Sequence, residues 1–138
     1  MESKLNPYLS FKANARKAME FYKTVFGGEL RMNTFKEYHA SQDPKEDDKI
    51  MHAQLEAPNG IKFMAADTPA GMRHRSGSNI SMSLSGENEA ELSRYFQKLS
   101  VGGTITMPLE KAPWGDTFGM CKDKFGITWM VNITGPKA

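Results

Sequence analysis

The feature that most constrains the fold of this 138-residue chain is an internal repeat. Three stretches recur in the same order: residues 6–11 as 79–84, Gly27-Gly28 as Gly102-Gly103, and residues 60–64 as 126–130. The offset between the copies changes from stretch to stretch, as loops of different length would produce. Matching turn glycines in a fixed order indicate two diverged copies of one structural unit, each about half of the chain.

Hydrophobic periodicity predicts the same elements in both halves. Apolar residues at helical spacing predict a helix over about 15–26, with Asn14 as its N-cap. A second helix is predicted after Asn88, with Glu91 completing a capping box. The glycine pairs end both helices. Alternating runs predict the strands, at 5–11, 30–35, 50–56 and 61–66 in the first half and at 79–85, 104–109, 117–122 and 127–133 in the second.

Three local signals complete this prediction. The Pro58-Asn59-Gly60 sequence predicts the turn of a hairpin. Asp67, which follows the last strand of the first half, is interpreted as a turn-forming residue. Cys121 is the single cysteine and lies on a predicted strand, so we interpret it as a buried, unreactive thiol.

Each copy is a βαβββ unit, so the predicted fold class is α+β with two such modules in tandem. Module 1 covers about residues 4–67, an inter-module loop covers 67–78 and module 2 covers about 79–134, all within a single domain of residues 1–138. One helix covers one face of each small sheet and leaves the other face concave. Two such sheets are expected to enclose a cleft, which is the default ligand site of this architecture.

The paired modules resemble the vicinal oxygen chelate superfamily, which includes glyoxalases, extradiol dioxygenases and the bleomycin- and fosfomycin-resistance proteins. Within it, the chain is similar to the PhnB-like branch over nearly its whole length. The residues that carry this resemblance are Asn6 to Phe11, Ala18 with Phe21-Tyr22, Phe26-Gly27-Gly28, Met51-His52-Ala53, Phe63-Met64 with Asp67, Trp114-Gly115-Asp116 with Phe118-Gly119, and Asp123 with Phe125 to Trp129. The resemblance implies the glyoxalase/bleomycin-resistance fold, but it leaves the reaction open because such folds host unrelated chemistries.

Metal-dependent members of the superfamily hold their ion with His or Glu on the first and last strand of each module. Carried over onto this chain, these positions fall at Asn6 and Asn79, near Phe63 or Met64, and near Met130. An asparagine donates a weak neutral oxygen, and thioether sulfur suits soft ions. We therefore expect the usual divalent metal site to be absent, and no cofactor is predicted.

A relocated site for a divalent metal is the alternative. His52, Gln54 and Glu56 alternate along one predicted strand and therefore share one of its faces. Such a site would support a lyase, isomerase or dioxygenase reaction. The simpler interpretation is that His52 is a hydrogen-bonded histidine lining the cleft. His39 and His74 fall in polar loops, where we expect them to be exposed to solvent.

The expected ligand contacts combine polar, aromatic and thioether side chains. Trp114 would stack on a ligand and Asp116 would accept a hydrogen bond; equally, the pair would cover the edge of the core and start a turn. Phe63 and Trp129 occupy equivalent positions, so one residue of each neighbouring pair is expected to face the cleft. Methionines expected to divide between cleft and core are Met51, Met64, Met82, Met120 and Met130. The predicted ligand-binding set is His52, Gln54, Trp114, Asp116, Met64, Met130, Asn6 and Asn79.

Composition excludes several classes of protein. Lys and Arg number 18 and Asp and Glu 16, and this net charge of +2 is too small to predict binding of nucleic acid through bulk charge. No apolar run approaches the about 18 residues of a membrane helix, and the charged N-terminal stretch does not resemble a signal peptide. We therefore expect a cytoplasmic protein without a membrane partner. The family resemblance further implies a homodimer.

Three hypotheses for the function follow. In the first, a PhnB-like protein binds a small organic ligand in its cleft without the usual metal. In the second, a relocated metal near His52 supports catalysis. In the third, the protein sequesters a drug-like molecule, as bleomycin-resistance proteins do.

Overall fold

The structure is a computed structural model that describes residues 5–38, 43–69, 77 and 80–135. Its elements in chain order are β1 (Tyr8–Phe11), α1 (Ala15–Phe26), β2 (Glu29–Thr34), a short 3-10 helix (Pro44–Glu46), β3 (Ile50–Glu56), β4 (Lys62–Asp67), β5 (Met82–Gly86), α2 (Glu89–Ser100), β6 (Thr104–Lys111), β7 (Thr117–Lys122) and β8 (Thr128–Ile133). The chain divides into two compact units, Met1–Arg75 and Ser76–Ala138. This boundary falls inside the predicted inter-module loop.

Unit 1, Met1–Arg75, is a four-stranded sheet covered on one face by α1. The strand order is β1-β4-β3-β2, with β1 and β4 parallel and the other pairs antiparallel. Phe63 of β4 packs edge-on against Tyr22 and Phe26 of α1, with ring centroids 5.4 and 6.1 Å apart. These rings are buried, so the face of the sheet that carries Phe63 is the helix side of the core.

Unit 2, Ser76–Ala138, repeats this topology with the strand order β5-β8-β7-β6. Again the first and last strands, β5 and β8, pair in parallel. A Cβ at Gly86 would lie 3.6 Å from Leu92 of α2, and Gly86 pairs with Ile133 of β8. The helix therefore covers the face that carries Ile133 and, by alternation, Trp129. The two βαβββ units confirm the α+β fold class inferred from the repeat.

The strand register corrects the alignment of the first strands. Tyr8 pairs with Met64, whereas Ser83 pairs with Met130, the repeat counterpart of Met64. Ser83 is therefore the counterpart of Tyr8, and Ser81 rather than Asn79 is the counterpart of Asn6. A slip of two residues preserves the alternation of a strand, so the sequence pattern alone does not detect it.

The glycine pair after each helix is required by close contact between two backbones. A Cβ on Gly28 would lie 2.2 Å from the carbonyl oxygen of Glu56, and one on Gly103 would lie 2.1 Å from that of Lys122. Glu56 ends β3 and Lys122 ends β7, so the same contact occurs in both units. Gly27, the C-cap of α1, has a φ of 75°, which glycine adopts at little cost, but its ψ of −158° differs from that of a left-handed helical cap.

Asp67 has a different role from the turn-forming one inferred from the sequence. It ends β4, is buried, and accepts hydrogen bonds from the backbone N–H groups of Ala15 at 2.9 Å and Ile50 at 2.8 Å. The Asn14 side chain, expected to cap α1, makes no such bond. The Asp67 carboxylate at the end of β4 thus accepts from the first backbone N–H of α1, one of the N-terminal amides that have no partner within the helix.

Two other local predictions are confirmed. Asn88 Oδ1 accepts from the backbone N–H of Glu91 at 3.0 Å, which is the predicted cap of α2. Residues 58–60 form the predicted hairpin turn between β3 and β4, since the backbone N–H of Ala57 donates to the carbonyl oxygen of Ile61. Asn59 and Gly60 in this three-residue turn both have positive φ. None of the helices in the described ranges is both long and apolar enough to span a membrane.

We predict that Gly103→Ala destabilises the protein more than Gly60→Ala does. A Cβ at position 103 meets backbone that cannot move aside, so we expect a loss of about 3 kcal/mol in unfolding free energy. Gly60 has a φ of 74° but open space around it, so its substitution should cost only about 1 kcal/mol of backbone strain. Urea unfolding of both variants measures the difference, and equal losses would contradict the backbone contact.

We also predict that Asp67→Asn lowers the unfolding free energy by about 2–3 kcal/mol, because a buried charged acceptor of two backbone N–H groups is lost. Asp43→Asn is the matched control. Asp43 accepts from the backbone N–H of Lys45 at an exposed site, so this change should cost well under 1 kcal/mol. Comparable effects in the two variants would contradict the buried role of Asp67.

Candidate functional site

In each unit, the face of the sheet opposite the helix carries the candidate site residues; it is called the open face below. Phe63 and Trp129 are buried on the helix side, at 2% and 1% exposure. Their neighbours Met64 and Met130 therefore lie on the open faces, where both are half-buried. The predicted alternation within each pair is confirmed: the aromatic residue faces the helix and the methionine lies on the open face.

The open face of unit 1 joins a histidine to a tyrosine across the sheet. Tyr8 on β1 and His52 on β3 flank β4, and Tyr8 Oη lies 3.5 Å from His52 Nδ1. Their rings are tilted at 47° with centroids 6.0 Å apart. The small side chain of Ala66 on β4 leaves room for this contact. His52 is thus a hydrogen-bonded histidine of a sheet face, and Tyr8 is a partner that sequence reasoning missed.

The other residues of the proposed relocated metal site do not converge on His52. Gln54 Nε2 donates to Glu56 Oε1, and Lys62 Nζ lies 3.7 Å from the same carboxylate oxygen. Four residues along a strand span about 13 Å, so His52 and Glu56 cannot ligate one ion. Among the residues that the structure describes, no group of three or more His, Cys, Asp or Glu side chains could hold a metal.

The strand positions at which the resemblance implies metal ligands carry poor donors for a hard ion. On the open faces, the residues that pair directly with Met64 and Met130 are Tyr8 and Ser83. Asn6 lies two residues before β1, and Asn79 lies outside the described residues. The pair in unit 1 is a thioether and a phenol, and the pair in unit 2 is a thioether and a hydroxyl. Neither pair contains a carboxylate or an imidazole, so neither fits a hard divalent ion.

The open face of unit 2 is apolar at its centre. Met120 pairs with Met130, and Phe118 pairs with Asn132 in the neighbouring row. Trp114, in the loop before β7, is 66% exposed and packs edge-on against Phe118 with ring centroids 6.2 Å apart. An exposed indole beside half-buried thioethers and a phenyl ring can contact a planar or apolar molecule.

Asp116 has a structural role beside this face. Its carboxylate accepts from Asn132 Nδ2 at 3.1 Å and from the backbone N–H of Gly135 at 3.0 Å. It therefore ties the loop that carries Trp114 to β8 and to the chain that follows it. Asp116 follows the turn in which the backbone N–H of Gly115 donates to the carbonyl oxygen of Ala112, so it does not start a turn as one interpretation of the sequence expected. Its role as an acceptor for a ligand stays a prediction.

Four of the five methionines singled out from the sequence can be assigned to a sheet face. Met64, Met120 and Met130 lie on open faces, whereas Met82 pairs with buried Trp129 on the helix side. Met51 lies at a bulge of β3, because Asn33 pairs with His52 and Thr34 with Ile50, and its side chain is 41% exposed. His39, Arg73, His74 and Arg75 lie outside the described residues.

Cys121 is fully buried on the helix side of unit 2. It pairs with Trp129 of β8 and lies beside Ser100 of α2. Burial raises the pKa of the Cys121 thiol, and the nearby Asp123 carboxylate raises it further. A thiol that ionises only at higher pH and is shielded from solvent is a poor nucleophile.

Comparison with known proteins gives consistent matches over nearly the whole chain. A model of the family described as 3-demethylubiquinone-9 3-methyltransferase matches residues 3–132. Protein YjdN of Escherichia coli (strain K12) is 32% identical over 140 residues, covering 94% of this chain and 94% of YjdN. The crystal structure of protein PA1353 from Pseudomonas aeruginosa is 35% identical with a TM-score of 0.81, covering 96% of this chain and 98% of that chain.

Two further structures agree with the fold. The PhnB protein from Bacillus cereus is 27% identical with a TM-score of 0.76, over 96% of this chain and 100% of that one. A glyoxylase/bleomycin resistance protein/dioxygenase domain from Frankia sp. EAN1pec has a TM-score of 0.65 over 99% of both chains. At 16% identity the latter likeness concerns the fold alone.

We predict that Cys121 of the native protein reacts with a thiol reagent at pH 8 at least tenfold more slowly than the thiol of the unfolded chain. The raised pKa leaves less thiolate at that pH, and burial blocks access to it. The rate of colour release from a disulfide reagent, with and without denaturant, measures both states. Equal rates would show that the thiol is accessible in the folded protein.

Proposed function

This chain belongs to the PhnB-like family whose model is described as 3-demethylubiquinone-9 3-methyltransferase, and within it we propose that the chain binds a small organic molecule through its open sheet faces. The observation that carries the proposal is the open face of unit 2, where Met120, Met130 and Phe118 form an apolar surface beside exposed Trp114. Thioether side chains adapt to ligands of different shape, and an indole stacks on planar ones. The ligand class is therefore apolar or planar organic molecules.

The open face of unit 1 is a second, more polar surface. The open face of its sheet carries the Tyr8–His52 contact and, in the neighbouring row, Gln54 paired with Met64. Phenol, imidazole and amide groups donate and accept hydrogen bonds without carrying a fixed charge. A ligand with carbonyl, hydroxyl or amide groups is the class that these side chains would recognise.

The proposed binding requires no hard divalent metal. Tyr8 pairs with Met64 in unit 1 and Ser83 pairs with Met130 in unit 2, and neither pair of donors suits such an ion. The family description names a methyl transfer, which needs a bound methyl donor. The two connections between a strand and the following helix, residues 12–14 and 87–88, contain no glycine and do not form the glycine-rich loop that cradles a nucleotide. We therefore do not propose methyl transfer.

Binding is tested with the planar fluorescent probe anilinonaphthalene sulfonate in buffer containing EDTA. We predict saturable binding that quenches Trp114 and raises the thermal unfolding midpoint. Met130→Glu places a charge on the apolar face and should weaken binding at least tenfold, about 1.4 kcal/mol. Val101→Glu is the matched control, since it adds the same charge in the same unit at a 64% exposed site after α2.

Three outcomes would overturn the proposal: no saturable binding by the folded wild type, equal losses in Met130→Glu and Val101→Glu, or binding that appears only after a divalent metal is added. Formation of a product from a bound ligand would distinguish catalysis from sequestration of a drug-like molecule. The homodimer and the cytoplasmic location remain proposals that rest on the family resemblance and the composition.

A further inference from the structure

We propose that Met107, Met120 and Met130 form a binding site for a soft monovalent cation, Cu(I) or its analogue Ag(I). The three residues lie on three adjacent strands of unit 2, since β6, β7 and β8 are neighbours in the sheet. Met107 pairs with Met120, and Met120 pairs with Met130. Met120 and Met130 also belong to the apolar surface proposed for the organic ligand, so the cation and that ligand would compete for this face.

The strand register places the three thioethers on one face. Directly opposed residues of an antiparallel pair share a face, with Cα atoms about 4.5–5.5 Å apart. Met107 and Met130 are therefore two strand spacings apart, about 10 Å, with Met120 between them. Methionine is unbranched and has three rotatable bonds, so the outer side chains can turn toward the central one.

A distortion of β6 brings Met107 into this row. Ile105 pairs with Cys121, so a regular ladder would put Thr106 opposite Met120. Instead the register shifts between Ile105 and Met107, and it shifts again between Met107 and Glu110. Bulges of this kind re-aim side chains and are common next to functional sites. The edge strand thus presents a thioether where a regular strand would present a hydroxyl.

The donor set determines the class of ion. Thioether sulfur is a soft, neutral donor that favours Cu(I) over hard divalent ions. Met120 and Met130 are half-buried and Met107 is 47% exposed, so the row has an accessible side for an incoming ion. Cys121 cannot contribute its thiol, because it is buried on the other face of the sheet.

Unit 1 provides an internal comparison. Its corresponding row, from β1 to β2, consists of Tyr8, Met64, Gln54 and Arg31. That row offers one thioether and a guanidinium, which repels a cation. We therefore expect the soft cation to bind unit 2 and leave Met64 unaffected.

The test is a titration of the full chain with silver nitrate in chloride-free buffer, followed by NMR of methionines labelled with ¹³C at the ε-methyl group. The Cys121→Ala variant is titrated beside the wild type, so that silver bound to the thiol is recognised separately. We expect the ε-methyl signals of Met107, Met120 and Met130 to shift together and to saturate at one silver ion per chain. The signals of Met64 and of buried Met19 should stay in place.

Substitution variants decide which groups bind. Met120→Leu removes the central donor at nearly constant volume and should weaken silver binding at least tenfold. Met107→Leu, at an exposed edge position, should do the same with little effect on folding. Met64→Leu is the matched control and should leave the affinity unchanged. Unmoved signals in the row, unchanged affinity in the first two variants, or equal shifts with Zn²⁺ would each overturn the proposal.

Discussion

The packing of one aromatic side chain against the helix determines which chemistry each sheet presents. Phe63 in unit 1 contacts two rings of α1, and Trp129 in unit 2 is buried and donates its indole N–H to Asp123 at 2.8 Å. Large aromatic surfaces gain most from burial, so these residues hold the orientation of the last strand. Alternation then leaves Met64 and Met130 on the open faces. The packing of the core therefore determines which residues lie on the open faces.

The two units share one strand topology but present different residues on their open faces. Gln54 pairs with Met64 in unit 1, whereas Met120 pairs with Met130 in unit 2. Most of the helix side stays apolar in both units, because both helices need the same cover, although buried Asp67 in unit 1 corresponds to Ile133 in unit 2. The open faces differ in overall character, with hydrogen-bonding groups in one unit and thioethers and aromatic rings in the other. Divergence on faces that the core does not use is what relaxed packing constraints permit.

Much of the fold could be predicted because it depends on residues that are close together in the sequence. The turn at Asn59 and Gly60 and the cap at Asn88 depend only on neighbouring residues, and both were read correctly. The role of Asp67 was missed, since its two partners lie 52 and 17 residues away in the chain. The register of β1 was misaligned by two residues, because a strand of period two looks the same after such a shift.

The candidate site was predictable only in part, for the same physical reason. Alternation shows that either Phe63 or Met64 faces away from the helix, but only contact with the helix shows which one. The bulges that set Met107 opposite Met120 leave no mark in the hydrophobic pattern, so the sequence alone does not place Met107 in this row. The expected metal positions fail on donor chemistry, which the residue types already reveal. Thioether side chains at these positions suit a soft ion or an apolar molecule rather than a hard divalent ion.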